Sequence, residues 1–157
     1  MYKRQKSTLQ ELKAFCQEHG GSLFTGLLSA LNLLLHRYTS QTDFMLGTPV
    51  AGRDHINLED QIGFYVNTVV LRTQLNSEDK FEDMFANVNK ATFEAYEHQQ
   101  YPFDKLVEDG GFEQDLSRSP LFDIMIRLHN MLDTSADEEI TEDKICLLYT
   151  SPSPRDA

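Results

Sequence analysis

The sequence predicts an α/β fold, a layered sandwich in which helices pack on a mixed sheet. Three observations support this prediction: long helical patterns with one apolar side, two short apolar strands lying between them, and a third strand with alternating polarity near the end. Hydrophobic residues make up 40% of the 157 residues, which is enough for one packed domain or one lobe of a larger one. The strands are few for so many apolar faces, which indicates a partner lobe.

Two helical patterns open the chain. Ser7 is a predicted N-cap, because a glutamine follows three residues later as in a capping box, and Gly20-Gly21 ends this first helix. Ser22 can cap the second helix. Apolar side chains between Leu23 and Tyr38 cover most of the circumference of that helix, so we expect it to be deeply buried.

Two strand patterns follow the helices. Asp43–Val50 is typical of a short strand. Phe64–Arg72 is the strongest strand pattern in the chain, and both of its faces are largely apolar. A strand of that kind is expected to be covered on two sides.

The second half of the chain predicts two further helices and a strand. Lys80–Gln99 has the spacing of an amphipathic helix. A short helix is expected to begin at Pro102, which suits a first helical position, and Gly110-Gly111 ends it. From Phe122 to His129 apolar and polar residues alternate, which predicts a half-buried strand.

The two ends of the chain differ in character from residues 7–132, which we assign to the folded lobe. Residues 133–144 are acidic and weakly patterned. Residues 145–157, ICLLYTSPSPRDA, resemble translated adapter sequence. Residues 1–6 have the same character. We therefore expect both ends to be non-native or disordered and to contribute nothing to the fold.

The charge and cysteine content exclude several classes of function. The formal net charge of −11 and the lack of a Lys/Arg run disfavour nucleic acid as a partner. Cys16 and Cys146 are too few for a disulfide framework and too far apart for a metal site. Cys16 is expected to be a small buried residue, and this cysteine usage fits a cytoplasmic location. The longest apolar stretch, Leu23–Leu35, is too short to span a bilayer, so no membrane association is expected.

General catalytic patterns are absent from the sequence. None of the five histidines is adjacent to another or lies in an HExxH or HxxxH pattern, so no metal site is predicted. No glycine-rich phosphate loop and no GxSxG elbow occur. We expect each histidine to be structural or exposed, namely His19, His36, His55, His98 and His129.

Three ordered segments carry more information than these patterns. They are IGFYVNTVVLR at 62–72, HQQYPFD at 98–104 and DLSRSPL at 115–121. Their order and spacing resemble the last three signature motifs of nonribosomal peptide synthetase condensation domains, which read IGxFVNT…R, HQxxPFE and RDxSRxPL. The resemblance extends over residues 7–132.

This chain departs from the family pattern in three ways. Gln114 stands where the family has an arginine, and Asp104 replaces a glutamate. The third departure concerns the catalytic motif of the family, HHxxxDG, which belongs to the N-terminal lobe. Nothing in this chain matches that motif, so we expect no catalytic residue here.

The resemblance implies a fold, an activity and a set of partners. The chain would be the C-terminal lobe of a two-lobed fold like that of chloramphenicol acetyltransferase. Condensation domains join an acyl or peptidyl thioester to the amine of an aminoacyl thioester, and both substrates ride on the phosphopantetheine of carrier proteins. The implied partners are the N-terminal lobe, upstream and downstream peptidyl carrier proteins and a following adenylation domain, with no directly bound cofactor.

The motifs favour the amide-forming type of condensation domain. The alternative is a non-catalytic condensation-like module that binds a carrier protein or a partner enzyme. For the chain by itself, both hypotheses predict that no peptide bond is formed.

Three residues are candidates for lining the substrate tunnel or binding pantetheine. Asn67 lies within a strand pattern, where asparagine is unfavourable, so it either contacts a pantetheine amide or satisfies a neighbouring loop. Gly63 permits a close backbone approach toward the other lobe or forms a simple turn. Arg53 meets a pantetheine phosphate or an acidic carrier surface, or else is an ordinary exposed loop residue.

Five further motif residues are predicted to be structural. Tyr101, Pro102 and Phe103 are expected to form a staple at the helix start that fills the core. Arg118 is expected to hold its own loop by pairing with Asp115 or with another acid.

Overall fold

The computed structural model describes residues 6–53, 55–58, 60–112, 118–128 and 145–146. Within these residues the predicted α/β class is confirmed. The elements, in chain order, are α1 (Lys6–Glu18), α2 (Leu23–Thr39), β1 (Asp43–Val50), a 3₁₀ turn (Ile56–Leu58), β2 (Asn67–Gln74), α3 (Phe81–Glu97), α4 (Phe103–Asp109), β3 (Arg127–Leu128) and β4 (Ile145–Cys146).

The chain divides into two compact units. The first unit contains residues 1–45 and 71–100, and the second contains 46–70 and 101–157. The first unit thus holds α1, α2 and α3, together with residues 71–72 and 98–100 of the first two signature segments. The second unit holds α4, the rest of those two segments and the described residues 118–121 of the third.

The helix starts of the first unit show one wrong and one correct prediction. Helix α1 begins at Lys6, so Ser7 lies inside it and the predicted N-cap there is wrong. Ser22 caps α2 as predicted: its Oγ accepts the Thr25 N–H at 3.2 Å, while Thr25 Oγ1 accepts the Ser22 N–H at 2.9 Å. This reciprocal pair is a complete capping box, which satisfies two backbone donors that a helix start leaves open.

Helix α2 is buried on a different side from the one its leucines predict. The buried residues are mostly small or polar, namely Thr25, Gly26, Leu28, Ser29 and Asn32. Leu34 is 51% exposed and Tyr38 is 83% exposed, so the prediction of a deeply buried helix is wrong for the described chain. The physical reason is close packing: α1 and α3 pack on α2, and small side chains let helix backbones approach each other.

The polar residues in this helical core are satisfied in part by one another. Asn32 is fully buried, and its Nδ2 donates to Thr73 Oγ1 at 3.0 Å, which ties α2 to β2. Asn89 Nδ2 donates to the Gly20 carbonyl at 3.2 Å, which ties α3 to the turn before α2. Both carboxamides are paired only through nitrogen, since the Oδ1 atoms of Asn32 and Asn89 are buried without a hydrogen-bond partner among the described residues. Buried polar groups are usually paired, so these two sites are only half satisfied.

Strands β1 and β2 pair in a two-stranded antiparallel sheet. The N–H of Leu75, just after β2, donates to the Thr42 carbonyl, just before β1, at 2.7 Å. Strand β2 buries Val69, Leu71 and Thr73, whereas alternate residues are half-buried or exposed. The expectation of coverage on two sides therefore holds for only one face of β2 within the described residues.

Cys16 is buried, as the sequence predicts, with 1% exposure. Burial raises the pKa of its thiol, because the thiolate would lose solvation. A Cβ added at Gly26 of α2 would lie 2.4 Å from the Cys16 Sγ. Gly26 therefore allows α1 and α2 to pack around the sulfur.

We predict that Gly26→Ala destabilises the chain by about 1–3 kcal/mol, because the new methyl group overlaps the Cys16 sulfur. Without that overlap, alanine would stabilise a helix interior by roughly 1 kcal/mol relative to glycine. The double variant Cys16→Ala/Gly26→Ala should recover part of the loss, which urea denaturation in a double-mutant cycle measures. Strictly additive effects would contradict the proposed contact.

An exposed ion pair links the two strands in the first unit. Arg72, the arginine of the first motif, donates to both carboxylate oxygens of Asp43, with Nη2 at 2.6 Å from Oδ2. The hydrogen bonds from Arg72, followed by the one from Gln74, lower the pKa of the Asp43 carboxyl below its usual 3.8. Since both side chains are well exposed, solvent screens most of this interaction.

The lowered pKa of Asp43 gives the pair a definite pH dependence. Its contribution to stability is present above about pH 4 and is lost as the pH falls through the lowered folded value. We expect Arg72→Gln to lower the urea midpoint slightly at about pH 7 and to match the wild type at about pH 2. A deficit that persists unchanged at the acid end would show that Arg72 acts through its packing instead.

Candidate functional site

The first two signature segments meet in the second unit through Asn67. Its Nδ2 donates to the Tyr101 carbonyl at 2.8 Å, and its Oδ1 accepts the Phe103 N–H at 3.2 Å. Helix α4 begins at Phe103 with Pro102 as its N-cap, and proline makes no side-chain cap hydrogen bond there. Asn67 therefore supplies the cap from another part of the chain, which satisfies a backbone donor that the helix start leaves open.

The segment after the third motif joins the same place through aromatic packing. The rings of Phe103 and Phe122 have centroids 5.6 Å apart and are tilted by 57°, a favourable arrangement for an aromatic pair. The Phe122 ring lies against Gly47 of β1, where an added Cβ would be 2.4 Å from a ring carbon. We call Gly47, Asn67, Tyr101–Phe103 and Phe122 the motif cluster.

Backbone hydrogen bonds hold the alternating segment, which follows the third motif, beside β1. The Gly47 N–H donates to the Ile124 carbonyl at 2.9 Å, and the Ile126 N–H donates to the Gly47 carbonyl at 2.8 Å. These bonds form an isolated parallel bridge between Gly47 and Met125, so the segment contacts β1 without forming the continuous strand that its pattern predicts. Only Arg127–Leu128 is a regular strand there, and it pairs antiparallel with Ile145–Cys146. The strand Ile145–Cys146 lies in the tail that was expected to be non-native or disordered. His129 lies outside the described residues.

Arg53 is half-buried and engaged with its own loop. Its guanidinium lies 4.7 Å from the centroid of the Tyr65 ring, and its Nη1 donates to the Leu58 carbonyl. A cation over an aromatic face is attracted by the ring quadrupole. These contacts orient Arg53 against Tyr65, and its role toward a phosphate or a carrier protein stays a prediction.

Tyr65 organises the loop before β2. Its O–H donates to Gln61 Oε1 at 2.9 Å. Gly63 lies under the ring, where an added Cβ would be 2.7 Å from a ring carbon. Gly52 has a φ of +63°, and an added Cβ would be 2.0 Å from the Tyr65 carbonyl oxygen, so this position requires glycine. The close neighbour of Gly63 is thus Tyr65 within the same unit, and an approach toward the other lobe stays a prediction.

Tyr101 precedes α4 and contacts its last residue. Its O–H donates to the Asp109 carboxylate at the far end of the helix. This hydrogen bond, together with the nearby negative charge, raises the pKa of the Tyr101 phenol. Tyr101 and Pro102 are exposed and Phe103 is half-buried, so the predicted core staple is reduced to Phe103.

Arg118 holds its loop through an acid that follows it in the chain. Its Nε and Nη2 donate to the two carboxylate oxygens of Asp123 at 3.0 and 2.5 Å. Asp123 is thus one acid that pairs with Arg118. Asp115 and Gln114 lie outside the described residues, so a pairing of Arg118 with Asp115 stays a prediction.

The candidate histidines of the described residues make local contacts. The His19 ring stacks on Phe15 at 4.2 Å, His36 Nδ1 lies 2.5 Å from the Gln41 carbonyl, and His55 Nδ1 accepts the Asn57 N–H at 3.2 Å. His98 is the C-cap of α3. Among the described residues, no group of three His, Cys, Asp or Glu could hold a metal ion. The candidate site is therefore the motif cluster, whose polar and aromatic groups are held in position by their contacts.

No helix in the described part of the chain is both long and apolar enough to cross a bilayer.

Sequence reasoning did not single out Tyr65, Gly47, Phe122 or Asp109. Tyr65 lies within the first motif segment and Phe122 within the predicted third strand, and the ring contacts of both depend on residues that lie elsewhere in the chain. The aromatic residues next to motif positions were the one available signal.

Comparisons with known proteins agree on one family. The family model "Condensation domain" matches residues 1–154. Gramicidin S synthase 2 of Brevibacillus brevis is 46% identical over 125 residues, which cover 80% of this chain and 3% of the synthase. The chain thus spans a small part of the length of the curated relatives that it matches.

Solved structures show the same fold. A four-domain nonribosomal peptide synthetase, holo-AB3403 bound to AMP and glycine, matches with a TM-score of 0.80 at 23% identity, covering 84% of this chain and 10% of that one. The X-domain from teicoplanin biosynthesis matches with a TM-score of 0.68 at 31% identity, covering 73% of this chain and 25% of that one. The X-domain has also been solved in complex with OxyB.

We predict that Asn67→Ala lowers the free energy of unfolding by about 1–2 kcal/mol, because it removes the cap of α4 and one further hydrogen bond. Asn57→Ala is the matched control, since Asn57 is an exposed asparagine of the same unit and surface changes of this kind stay within about 0.5 kcal/mol. Urea denaturation measures both. An equal effect of the two substitutions would argue against the capping role.

Proposed function

Because the chain belongs to the condensation-domain family, we propose that it is the C-terminal lobe of an amide-forming condensation domain in nonribosomal peptide synthesis. The whole domain would join an acyl or peptidyl thioester to the amine of an aminoacyl thioester. This chain would supply one wall of the reaction tunnel and part of the carrier-docking surface. The catalytic base would come from the HHxxxDG motif in the other lobe.

The observation that carries this proposal is the motif cluster. Two segments recognised only by their resemblance to family motifs are linked by the two hydrogen bonds of Asn67, and Phe122, which directly follows the third segment, contacts Phe103. A chance likeness of short segments would have no reason to bring them into contact. Their convergence indicates that the motifs maintain a shared structure.

The proposed reaction places a positioning demand on such a lobe. A neutral amine attacks the thioester carbon, the C–N bond forms, and the thiolate leaves as the C–S bond breaks. The proton that the nitrogen loses would pass to the base in the other lobe and from there to the thiolate, which leaves the enzyme as a thiol. Holding both substrates in an attack geometry accounts for much of the rate of such a reaction. A rigid wall that fixes the two ends of a tunnel is a direct contribution to that geometry.

The proposed partners follow from how the substrates travel. Both would be carried on phosphopantetheine by upstream and downstream peptidyl carrier proteins, with an adenylation domain following. We propose that Asn67, Gly63 and Arg53 lie along the pantetheine path. In this arrangement the Asn67 carboxamide, already bound to two backbone groups, would act mainly by holding the path open.

The alternative is a non-catalytic module that binds a partner enzyme. The X-domain match favours it, because that domain is solved as a complex with OxyB and its identity to this chain is 31%. The two functions differ in the upstream coding sequence. An intact HHxxxDG motif there supports the amide-forming domain, and an eroded motif supports the binding module.

We predict that a chimera restores peptide-bond formation. In it, this chain replaces the matching stretch of the condensation domain in Gramicidin S synthase 2, at 46% identity. With loaded donor and acceptor carrier proteins, product release followed by mass spectrometry should show condensation by the chimera and none by this chain alone.

The control is the same chimera with the second histidine of the HHxxxDG motif changed to alanine, which should abolish product while leaving the fold intact. Turnover by the isolated chain would refute the assignment of the base to the other lobe. A folded chimera without any product would refute the amide-forming function and favour the binding module.

A further inference from the structure

Helix α2 buries the face that carries its polar residues. Thr25, Ser29 and Asn32 recur at the spacing of a single helical face, and each is no more than 3% exposed. Leu34 and Tyr38 lie on the opposite face and are 51% and 83% exposed. The removal of apolar surface from water favours the reverse arrangement. Something other than apolar burial therefore sets how this helix is rotated about its axis.

Two of the three buried polar side chains do not set that rotation, because they are satisfied within the helix and its cap. Thr25 Oγ1 donates to the Ser22 carbonyl at 2.8 Å, and Ser29 Oγ donates to the Thr25 carbonyl at 2.8 Å. Local bonds of this kind form in any orientation of a helix. Asn32 differs, since its Nδ2 donates to Thr73 Oγ1 of β2 at 3.0 Å. The Asn32–Thr73 bond therefore requires one particular orientation of α2.

The Asn32–Thr73 pair is a poor source of stability. Asn32 is fully buried, and its Oδ1 has no hydrogen-bond partner among the described residues. A buried oxygen without a partner loses its hydration and gains nothing in exchange, so half of this carboxamide opposes folding. Buried polar groups that are costly in this way are known to select one packing over its competitors.

We propose that the Asn32–Thr73 pair is an orientation device, which holds the small and polar face of α2 against its neighbours and leaves the leucine face outside. Without the pair, α2 would be apolar on most sides and free to bury its leucines at the expense of the present packing. Cys16 reports the difference. It is 1% exposed, and a Cβ added at Gly26 of α2 would lie 2.4 Å from its Sγ. A rotation of α2 would move Gly26 away from the sulfur.

The test replaces both partners with apolar residues of similar shape, Asn32→Leu and Thr73→Val, in a Cys146→Ser background that leaves Cys16 as the one thiol of the chain. The double variant should match or exceed the urea midpoint of its parent, because the unpaired oxygen is removed together with both partners. Labelling of Cys16 by dithionitrobenzoate under native conditions should nevertheless become at least about tenfold faster, because a buried thiol reacts through its open or repacked population.

Thr92→Val in the same background is the matched control. Thr92 is 3% exposed on α3 in the same unit, and its Oγ1 donates to the Val88 carbonyl of its own helix at 2.7 Å. Because this bond does not join two elements, its loss should leave the urea midpoint and the labelling rate close to those of the parent. A control that labels as fast as the double variant would overturn the proposal, since the loss of any buried hydroxyl would then loosen the unit.

Three outcomes for the double variant would also overturn the proposal. Labelling as slow as in the parent would show that the close packing at Gly26 is enough to hold α2 in place. Faster labelling that accompanies a lower urea midpoint would be ordinary destabilisation. Failure of the double variant to fold would show that the pair is needed for stability itself.

Discussion

The second unit depends on Asn67, which caps helix α4 although it lies far from that helix in the sequence. Helix α4 starts after Pro102, whose side chain cannot accept a hydrogen bond from the helix. The Asn67 carboxamide fills that role at the Phe103 N–H and also binds the Tyr101 carbonyl. The start of β2 and the start of α4 are thereby held at a fixed distance. The Phe103 ring, set by this helix start, then contacts Phe122, which in turn lies on Gly47.

A second constraint is that the described elements have more apolar faces than the other described elements cover. Helix α2 buries its small and polar residues while Leu34 and Tyr38 are exposed, and β2 is buried on one face. The apolar periodicity of both elements shows how many of their faces are apolar. It does not show what covers each face, because that information belongs to residues elsewhere in the sequence or outside it. The predicted need for a partner lobe came from the same imbalance.

Local chemistry was predictable from the sequence, and long-range pairing was not. The capping box of Ser22 and Thr25 spans three residues, so its geometry follows from backbone rules alone. The cap on α4 comes from a residue 36 positions away, and only the unusual placement of an asparagine in a strand pattern pointed to it. Tyr65 gave no such signal, because an aromatic residue in a strand is ordinary. Ser7 shows the reverse error, since a favourable local pattern does not decide where a helix begins.

Under the proposed function, these features explain how a lobe of this kind would contribute to a reaction without holding its base. The described polar groups of the motif cluster are bound to backbone atoms and to one another, so their orientation is fixed before any substrate arrives. Fixed groups lose little entropy on binding, and that is what a reaction between two tethered substrates needs most. A base added to a poorly held tunnel would meet its amine rarely. The placement of Asn67, Phe103 and Phe122 in one connected cluster therefore agrees with a division in which this chain provides position and the rest of the domain provides the proton acceptor.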